Sequence, residues 1–189
     1  MKFKEGKVIE KFYVEKGGKQ MQALVRYPKK TDVKVGTRYI NSLIDKRTMI
    51  GFSKKTTLEK ENKWLKDTLE NMRKGESIVL FVEINGKMIA AGNVTKARFD
   101  EEKHVCELGI SVSKLCRGLG LGKKISELLI DSAKKYLGAG IVTLVVYSGN
   151  KPAINLYKSL GFVQAGKIPR GFKHGERYHD KIMMYKVLK

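Results

Sequence analysis

The chain has 189 residues, which is the size of one domain with a substantial core. With 42% hydrophobic and 31% charged residues it has the composition of a globular protein, and its longest apolar run, 141–147, is far too short to span a membrane. The formal net charge is +20, and because the basic residues are spread over the whole chain, this charge leaves open a nucleic-acid partner, an anionic substrate or a lysine-rich background.

The first residues, Met-Lys-Phe-Lys-Glu, lack the apolar segment of a signal peptide, which predicts a cytoplasmic protein without a membrane partner. Cys106 and Cys116 form no CxxC motif. We expect Cys106 to be a small buried apolar residue and Cys116 to be a free thiol, and we predict no metal site. Because the chain has no repeat and no Pro/Ser-rich linker, we predict one domain over 1–189, with an N-terminal hairpin extension over about 1–27.

The first predicted elements are two strands and two helices. Strands at 8–14 and 21–27 flank a segment with two adjacent glycines, which predicts a hairpin. Helices are predicted over 37–43 and 58–72. In the second helix, apolar residues recur at helical spacing, and we expect Trp64 on that stripe to lie in the core.

The next predicted elements form an antiparallel group followed by a crossover. Strands at 78–84 and 88–95 enclose the turn Asn85-Gly86, and a third strand covers 104–113. A helix with one apolar face over 125–137, a buried strand at 141–147, a helix begun by Pro152 and terminal strands after Phe162 follow. This order predicts an α+β fold, with a mostly antiparallel central sheet and helices on both faces.

A glycine-rich segment, Arg-Gly-Leu-Gly-Leu-Gly at 117–122, lies between a predicted strand and a predicted helix. Glycines let the backbone approach a ligand closely, so several N–H groups can point at one phosphate at the positive end of a helix. A nucleotide P-loop would need glycine at position 117 and Ser or Thr at position 124, where the chain has arginine and lysine. A dinucleotide fingerprint would need glycine at position 123 and an acidic residue in the next strand, and the chain has neither.

Two other motifs do fit the sequence. The glycine segment matches Arg-x-x-Gly-x-Gly through Arg117, Gly120 and Gly122. One β-α-β unit later the chain reads Asn150-x-x-Ala153-x-x-x-Tyr157-x-x-x-Gly161-Phe162. With both motifs in this order, the chain resembles the GCN5-related N-acetyltransferases (GNATs). The resemblance implies a three-layer sandwich with acetyl-CoA as cosubstrate, and direct transfer of an acetyl group to a primary amine in a ternary complex.

The resemblance also implies roles for particular residues. The first motif wraps the pyrophosphate of acetyl-CoA, which assigns cosubstrate binding to Arg117, Gly118, Leu119, Gly120, Leu121, Gly122 and Lys123. Backbone groups of Ile110 and Val112 hold the pantetheine arm, and Asn150 also contacts it. Tyr157 lies beside the thioester sulfur and stabilises the leaving thiolate. From the residues alone, Asn150 can equally be a helix cap, Tyr157 a core residue and Lys124 a solvated helix residue.

Glu107 is the first candidate for the general base. Period-two alternation puts it on the face of its strand opposite Cys106 and Leu108. Burying a carboxylate between apolar neighbours costs free energy unless the carboxylate is solvated, paired or required for function. The resemblance implies that Glu107 points into the cleft that the amine enters. The alternative is a structural glutamate at an exposed edge. Glu83 and His104 are weaker candidates for the same role.

The acceptor amine is not specified by these motifs and can be a protein N-terminus, a lysine or a small molecule. An α-amine with a pKa near ~8 needs less help from a base than a lysine amine near ~10.4, so the lack of a strong base favours an α-amine. The rival hypothesis is a catalytically silent basic module of this fold that binds RNA or the ribosome, with the densest basic surface after Val163. A homodimer is also left open.

Overall fold

Eight strands and four helices make up most of residues 3–188, the range that the computed structural model describes. The strands are β1 (Val8–Lys16), β2 (Lys19–Arg26), β3 (Ser77–Ile84), β4 (Lys87–Lys96), β5 (Val105–Val112), β6 (Ile141–Tyr147), β7 (Val163–His174) and β8 (Arg177–Val187). The helices are α1 (Val33–Asp45), α2 (Leu58–Lys74), α3 (Leu121–Ser132) and α4 (Lys151–Ser159), and α3 continues as a π-helical turn over Ala133–Leu137. The predicted elements are all present, and β6 has the predicted bounds.

The strands form one sheet in the order β1-β2-β3-β4-β5-β6-β8-β7. Within the described range every neighbouring pair is antiparallel except β5 and β6. The prediction of a mostly antiparallel central sheet is therefore confirmed. The last hairpin inserts β8, rather than β7, next to β6, so β7 forms the edge of the sheet.

Helices cover both faces of the sheet. On one face, the Tyr39 hydroxyl of α1 and the Ser111 hydroxyl of β5 are 2.9 Å apart and share a hydrogen bond. On the other face, a Cβ atom on Gly92 would lie 2.7 Å from Leu129 of α3. Gly92 pairs with Ile110, the neighbour of Ser111, and consecutive strand residues point to opposite faces. The helix α1 and the helix α3 therefore lie on opposite sides, which gives the three-layer arrangement.

The core-facing stripe of α2 differs from the prediction at two residues. Leu65, Leu69 and Met72 are buried as expected, but Leu58, at the helix start, is 51% exposed and Trp64 is 45% exposed, so the prediction that Trp64 belongs to the core was wrong. Each residue advances about 100° around a helix, so Trp64 cannot share the face that its neighbour Leu65 presents to the sheet. Glu61, four residues before Leu65, occupies the buried stripe instead.

The parallel pair β5–β6 is short. Pairing joins residues 105–107 to residues 141–143 and then stops, while β5 continues beside β4 and β6 continues beside β8. Residues 108–112 and 144–147 no longer pair with each other, so the sheet opens at the ends of β5 and β6. Two segments leave this opening, the glycine loop (117–122) and the turn before α4. Each of them carries one of the two sequence motifs.

The N-terminal hairpin packs close to the glycine loop. Its strand β2 pairs with β3, and the side chains of β1 reach the first turn of α3 and the segment before it. The Lys16 ammonium donates to the Leu115 carbonyl at 2.5 Å, and Glu10 forms an ion pair with Lys124 at 2.5 Å. None of the helices between residues 3 and 188 has the length and apolar character needed to cross a bilayer.

Candidate active site

The glycine loop takes a backbone conformation that glycine adopts more easily than any other residue. Gly118 and Gly120 have φ values of 79° and 73°, in the left-handed region, and Gly120 is the N-cap of α3. No side chain caps this helix end, so its first N–H groups are available to a ligand. A Cβ atom at either glycine would meet no atom within 4 Å, which means that the loop faces open space. This arrangement suits an anion at the positive end of the helix.

The basic residues of the loop differ in how they are engaged. Arg117 is exposed and makes a long contact of 3.5 Å to the Val112 carbonyl, and Lys123 lies 4.0 Å from Glu127. Both side chains can therefore turn toward a phosphate and give up only these weak contacts. Lys124 is paired with Glu10 of the N-terminal hairpin, which favours a structural role for Lys124.

Strand β5, the glycine loop and α4 converge at one point. A Cβ atom on Gly122 would lie 3.1 Å from Leu156 of α4 and 3.7 Å from the side chain of Ile110. Glycine at position 122 thus permits the close approach of α3 and α4. Ile110 and Val112 are half-buried and belong to the part of β5 that has no partner in β6. Their backbone groups lie beside the opening of the sheet.

Tyr157 follows Leu156 on α4 and is 5% exposed. Its ring packs edge-on against Phe162, with ring centroids 5.8 Å apart. Within the described range its hydroxyl forms no hydrogen bond. Burial raises the pKa of Tyr157 to about 12, so the hydroxyl stays protonated at physiological pH and can only donate or accept a hydrogen bond there.

Asn150 caps α4, because its side-chain oxygen accepts a hydrogen bond from the Ala153 N–H at 3.4 Å. Pro152 lies in the first turn of this helix, as predicted. The cap places the Asn150 side chain at the end of α4 that lies next to the opening. Contact between Asn150 and a pantetheine arm stays a prediction.

Glu107 lies where the two parallel strands stop pairing. It is the last residue of β5 that pairs with β6, opposite Thr143, and its side chain is exposed. In the described part of the chain its carboxylate has no ion pair and no hydrogen bond. The buried neighbours Cys106 and Leu108 point to the opposite face. Glu107 is therefore an unengaged carboxylate at the base of the opening.

Of the two weaker candidates for a base, Glu83 is engaged by a buried arginine and His104 lies away from the opening. Glu83 accepts hydrogen bonds from Arg26, which is 7% exposed and also binds both carboxylate oxygens of Asp32, at 2.7 and 2.9 Å. The His104 carbonyl accepts hydrogen bonds from Gly140 and Ile141 at the start of β6. His104 therefore lies at the closed end of the β5–β6 pair, away from the opening.

A group of side chains that the sequence did not single out lies near the turn before α4; we call it the aromatic cluster. The rings of Tyr147 and Phe172 stack with centroids 3.5 Å apart and an interplanar angle of 8°. Phe172 also lies 6.0 Å from His174 and 6.4 Å from His179. The only hint in the sequence is that two aromatic residues and two histidines fall within residues 172–179. Their proximity to Tyr147 depends on the pairing of β8 with β6. No metal-binding cluster of His, Cys, Asp or Glu occurs between residues 3 and 188.

Comparison with known proteins gives a family match. The model of the acetyltransferase (GNAT) family matches residues 38–162. The chain is 33% identical over 108 residues to the L-amino acid N-acyltransferase MnaT of Escherichia coli (strain K12), which covers 56% of this chain and 62% of that protein. The chain thus spans less than two thirds of the length of this curated relative.

Solved structures share the fold. A ribosomal-protein-alanine N-acetyltransferase from Brucella melitensis is 25% identical with a TM-score of 0.76, over 87% of this chain and 99% of that chain. A Salmonella typhimurium acetyltransferase solved with its cofactor acetyl-CoA has a TM-score of 0.76 at 24% identity, over 88% of this chain and 94% of that chain. These similarities cover 87% and 88% of the chain and so extend beyond the two motifs.

Proposed function

Because the chain belongs to the acetyltransferase (GNAT) family, we propose that it is an N-acetyltransferase that moves the acetyl group of acetyl-CoA to a primary amine in a ternary complex. One observation carries the proposal. The glycine loop, the unpaired end of β5 and the helix of Tyr157 converge at Gly122, Ile110 and Leu156. An uncapped helix end, unpaired backbone groups and the helix that carries Tyr157 therefore lie together at the opening in the sheet.

The residues at this opening fit acetyl-CoA. The backbone N–H groups of 118–123, with the exposed cations Arg117 and Lys123, would hold the pyrophosphate. The unpaired backbone of Ile110 and Val112, with Asn150, would hold the pantetheine arm. When bound, acetyl-CoA supplies the thioester carbonyl that a neutral amine attacks. Loop glycines that face open space leave room for this ligand.

Tyr157 acts as a hydrogen-bond donor to the departing sulfur. With its pKa raised to about 12, full proton transfer to a thiol of reference pKa ~8.5 is uphill by about 3.5 units, or about 5 kcal/mol. A hydrogen bond to the sulfur requires no proton transfer, and it stabilises the charge that develops on sulfur in the transition state. Glu107 accepts the proton that the attacking amine loses, directly or through a water molecule.

We propose that the acceptor is an α-amine. The similar proteins act, by their names, on L-amino acids and on the alanine of a ribosomal protein, and both groups present an α-amine. At pH 7 the neutral fraction of an amine with pKa ~8 exceeds that of a lysine amine with pKa ~10.4 by roughly 250-fold. A site with one unengaged carboxylate as its base therefore favours the α-amine.

The location that we propose is the cytoplasm. Cys106 and Cys116 are free, and Cys106 is buried, as the sequence predicted. Burial raises the pKa of the Cys106 thiol, which keeps it unreactive. Free thiols suit a reducing compartment, and a fractionation experiment would test this part of the proposal.

The test of the proposed function is thiol release from acetyl-CoA with a panel of amines. The panel contains free amino acids, peptides that begin with alanine, lysine peptides with a blocked N-terminus, and spermidine. We expect release with the α-amines and little release with the blocked lysine peptides. Binding of acetyl-CoA without release from any amine would contradict the proposal and favour the silent RNA-binding module, whose RNA affinity should fall steeply with salt.

A further inference from the structure

Three segments meet at the turn before α4. A Cβ atom on Gly149 would lie 2.6 Å from the Nδ1 and Cε1 atoms of His179 and 2.8 Å from the Cε atom of Met49. His179 belongs to β8, and Met49 belongs to the connection between α1 and α2. The imidazole and the thioether therefore rest directly on the backbone of Gly149, the residue before Asn150.

The position of His179 is fixed by backbone contacts. The Ser148 N–H donates to the Asp180 carbonyl at 2.9 Å, and the Asp180 N–H donates to the Ser148 hydroxyl at 2.9 Å. These two bonds extend the pairing of β6 with β8 by one residue beyond Tyr147 and Lys181. They hold His179 at the open end of the sheet.

The aromatic cluster lies on the side of the sheet opposite to α3. In β6, Val142, Leu144 and Val146 are buried, and in β8, Ile182 and Met184 are buried on the same face. Tyr147 and His179 alternate with these residues and therefore point to the other face. The glycine loop leads into α3, which lies on the same side of the sheet as Leu144 and Met184, because Cys106 of β5 pairs with Val142 of β6. An acceptor that enters from the opposite side would meet the aromatic cluster.

Two polar groups beside this junction have no partner in the described part of the chain. Neither ring nitrogen of His179 forms a hydrogen bond. The hydroxyl of Thr48, the residue before Met49, is buried and unpaired. The His179 side chain is half-buried rather than enclosed, so its nitrogens are open to water or to a ligand.

We infer that His179 recognises the acceptor by hydrogen-bonding the carboxylate or carbonyl oxygen next to its amine. This inference rests on the proposed function. An imidazole offers at least one N–H donor in either protonation state, which matches the oxygen that an amino acid or peptide presents one carbon away from the α-amine. The stacked rings of Tyr147 and Phe172 and the Met49 side chain supply apolar surface beside the His179 ring. The substrate class is therefore an α-amine with a neighbouring carbonyl oxygen, rather than an alkylamine.

The first test compares kcat/KM for alanine, alaninamide and isopropylamine in the wild type and in His179→Ala. Loss of a hydrogen bond to a charged oxygen should lower kcat/KM for alanine by roughly 10- to 100-fold, with a smaller loss for alaninamide. The value for isopropylamine, which lacks the oxygen, should change little. The variant His179→Asn, which keeps a donor, should recover part of the loss. The Kd for acetyl-CoA should be unchanged.

The matched control is His104→Ala, because His104 is exposed and lies at the closed end of β5 and β6. It should behave as wild type with all three amines. If both variants behave as wild type, the inference about His179 is wrong while the proposed function stands. If the wild-type protein acetylates no amine, both fail together.

A second measurement uses the unaltered protein and does not depend on the stability of a variant. The chain has three histidines, so its imidazole Cε1–H signals can be resolved by NMR and assigned by substitution. Alanine added to the CoA-bound protein should shift the His179 signal and leave the His104 signal in place. A His179 signal that stays in place under saturating acceptor would overturn the inference.

Discussion

Replacing Tyr157 by phenylalanine should separate catalysis from stability. The substitution keeps the ring, its edge-on contact with Phe162 and its burial, and removes only the hydroxyl. If the hydroxyl donates to the departing sulfur, the transfer step should slow by roughly 100-fold, which corresponds to about 2.7 kcal/mol. The Kd for acetyl-CoA should change only a few-fold, because the donor matters mainly in the transition state.

The same substitution should not destabilise the free protein. The Tyr157 hydroxyl is desolvated and forms no hydrogen bond with any described residue. Its removal leaves no partner unsatisfied, so at neutral pH the free energy of unfolding should stay the same or rise by up to about 1 kcal/mol. A core tyrosine with a structural hydrogen bond would give the opposite sign.

Alkaline unfolding gives an independent check. The pKa of Tyr157 is raised from 10.0 to about 12 in the folded protein, so the folded state holds this proton more tightly than the unfolded state. The resulting stability is complete below pH 10 and is lost as the pH rises toward 12. Two pKa units correspond to about 2.7 kcal/mol. The phenylalanine variant should lack this contribution, so its stability should fall less than that of the wild type between pH 10 and 12.

The assay combines single-turnover kinetics, calorimetry with acetyl-CoA and urea unfolding. The control is Tyr136→Phe, which removes a hydroxyl from a residue that is 39% exposed. A thioester with a more acidic leaving thiol should shrink the difference between wild type and Tyr157→Phe, since its sulfur needs less help to depart. Wild-type single-turnover rates in a folded Tyr157→Phe protein would refute the reasoning.

Three further predictions concern the loop, the base and a buried ion pair. Gly120→Val should lower acetyl-CoA affinity at least 10-fold in calorimetry, because φ at Gly120 is 73°. The control Gly175→Val, with a φ of 59° at the turn between β7 and β8, has a similar backbone strain outside the glycine loop and should bind acetyl-CoA normally. Glu107→Gln should reduce kcat/KM for α-amines by roughly 10²-fold, with Glu102→Gln as an exposed control; equal rates would remove Glu107 as the base. Arg26→Ala leaves two carboxylates without their partner and should lower the free energy of unfolding by roughly 3 kcal/mol in urea; a loss below ~1 kcal/mol would contradict the assigned network.

The parts of the fold that follow local rules could be predicted from the sequence. The strand 141–147 is short, β-branched and apolar on both faces, and the structure gives the same bounds for β6. The glycines of 117–122 predicted a loop before a helix, because two of them adopt left-handed backbone angles. The helix α3 begins at Leu121, earlier than predicted, since Gly120 supplies the cap position.

Features that depend on distant contacts could not be predicted. Helical spacing shows that Trp64 and Leu65 cannot share one face of α2, but only the packing of α2 on the sheet decides that Leu65 is the buried one. The aromatic cluster requires β8 to insert between β6 and β7, and no local pattern specifies that order. The engagement of Glu83 by Arg26 joins residues 57 positions apart in the sequence. The sequence could not show that the carboxylate of Glu107 is free of ion pairs while that of Glu83 is bound to Arg26, because this difference depends on the folded arrangement.

The short pairing of β5 with β6 has a consequence for the free protein. Beyond Glu107 and Thr143 each strand has a neighbour on one side only, so the sheet contains two edges in its interior as well as those at its ends. Amide groups along this seam depend on water or a ligand for their bonds, and their hydrogens should exchange faster than those of the flanking strands. A ligand whose amides lie along the seam would act as a missing strand. Cosubstrate binding should therefore protect the middle of the sheet from exchange more than its periphery.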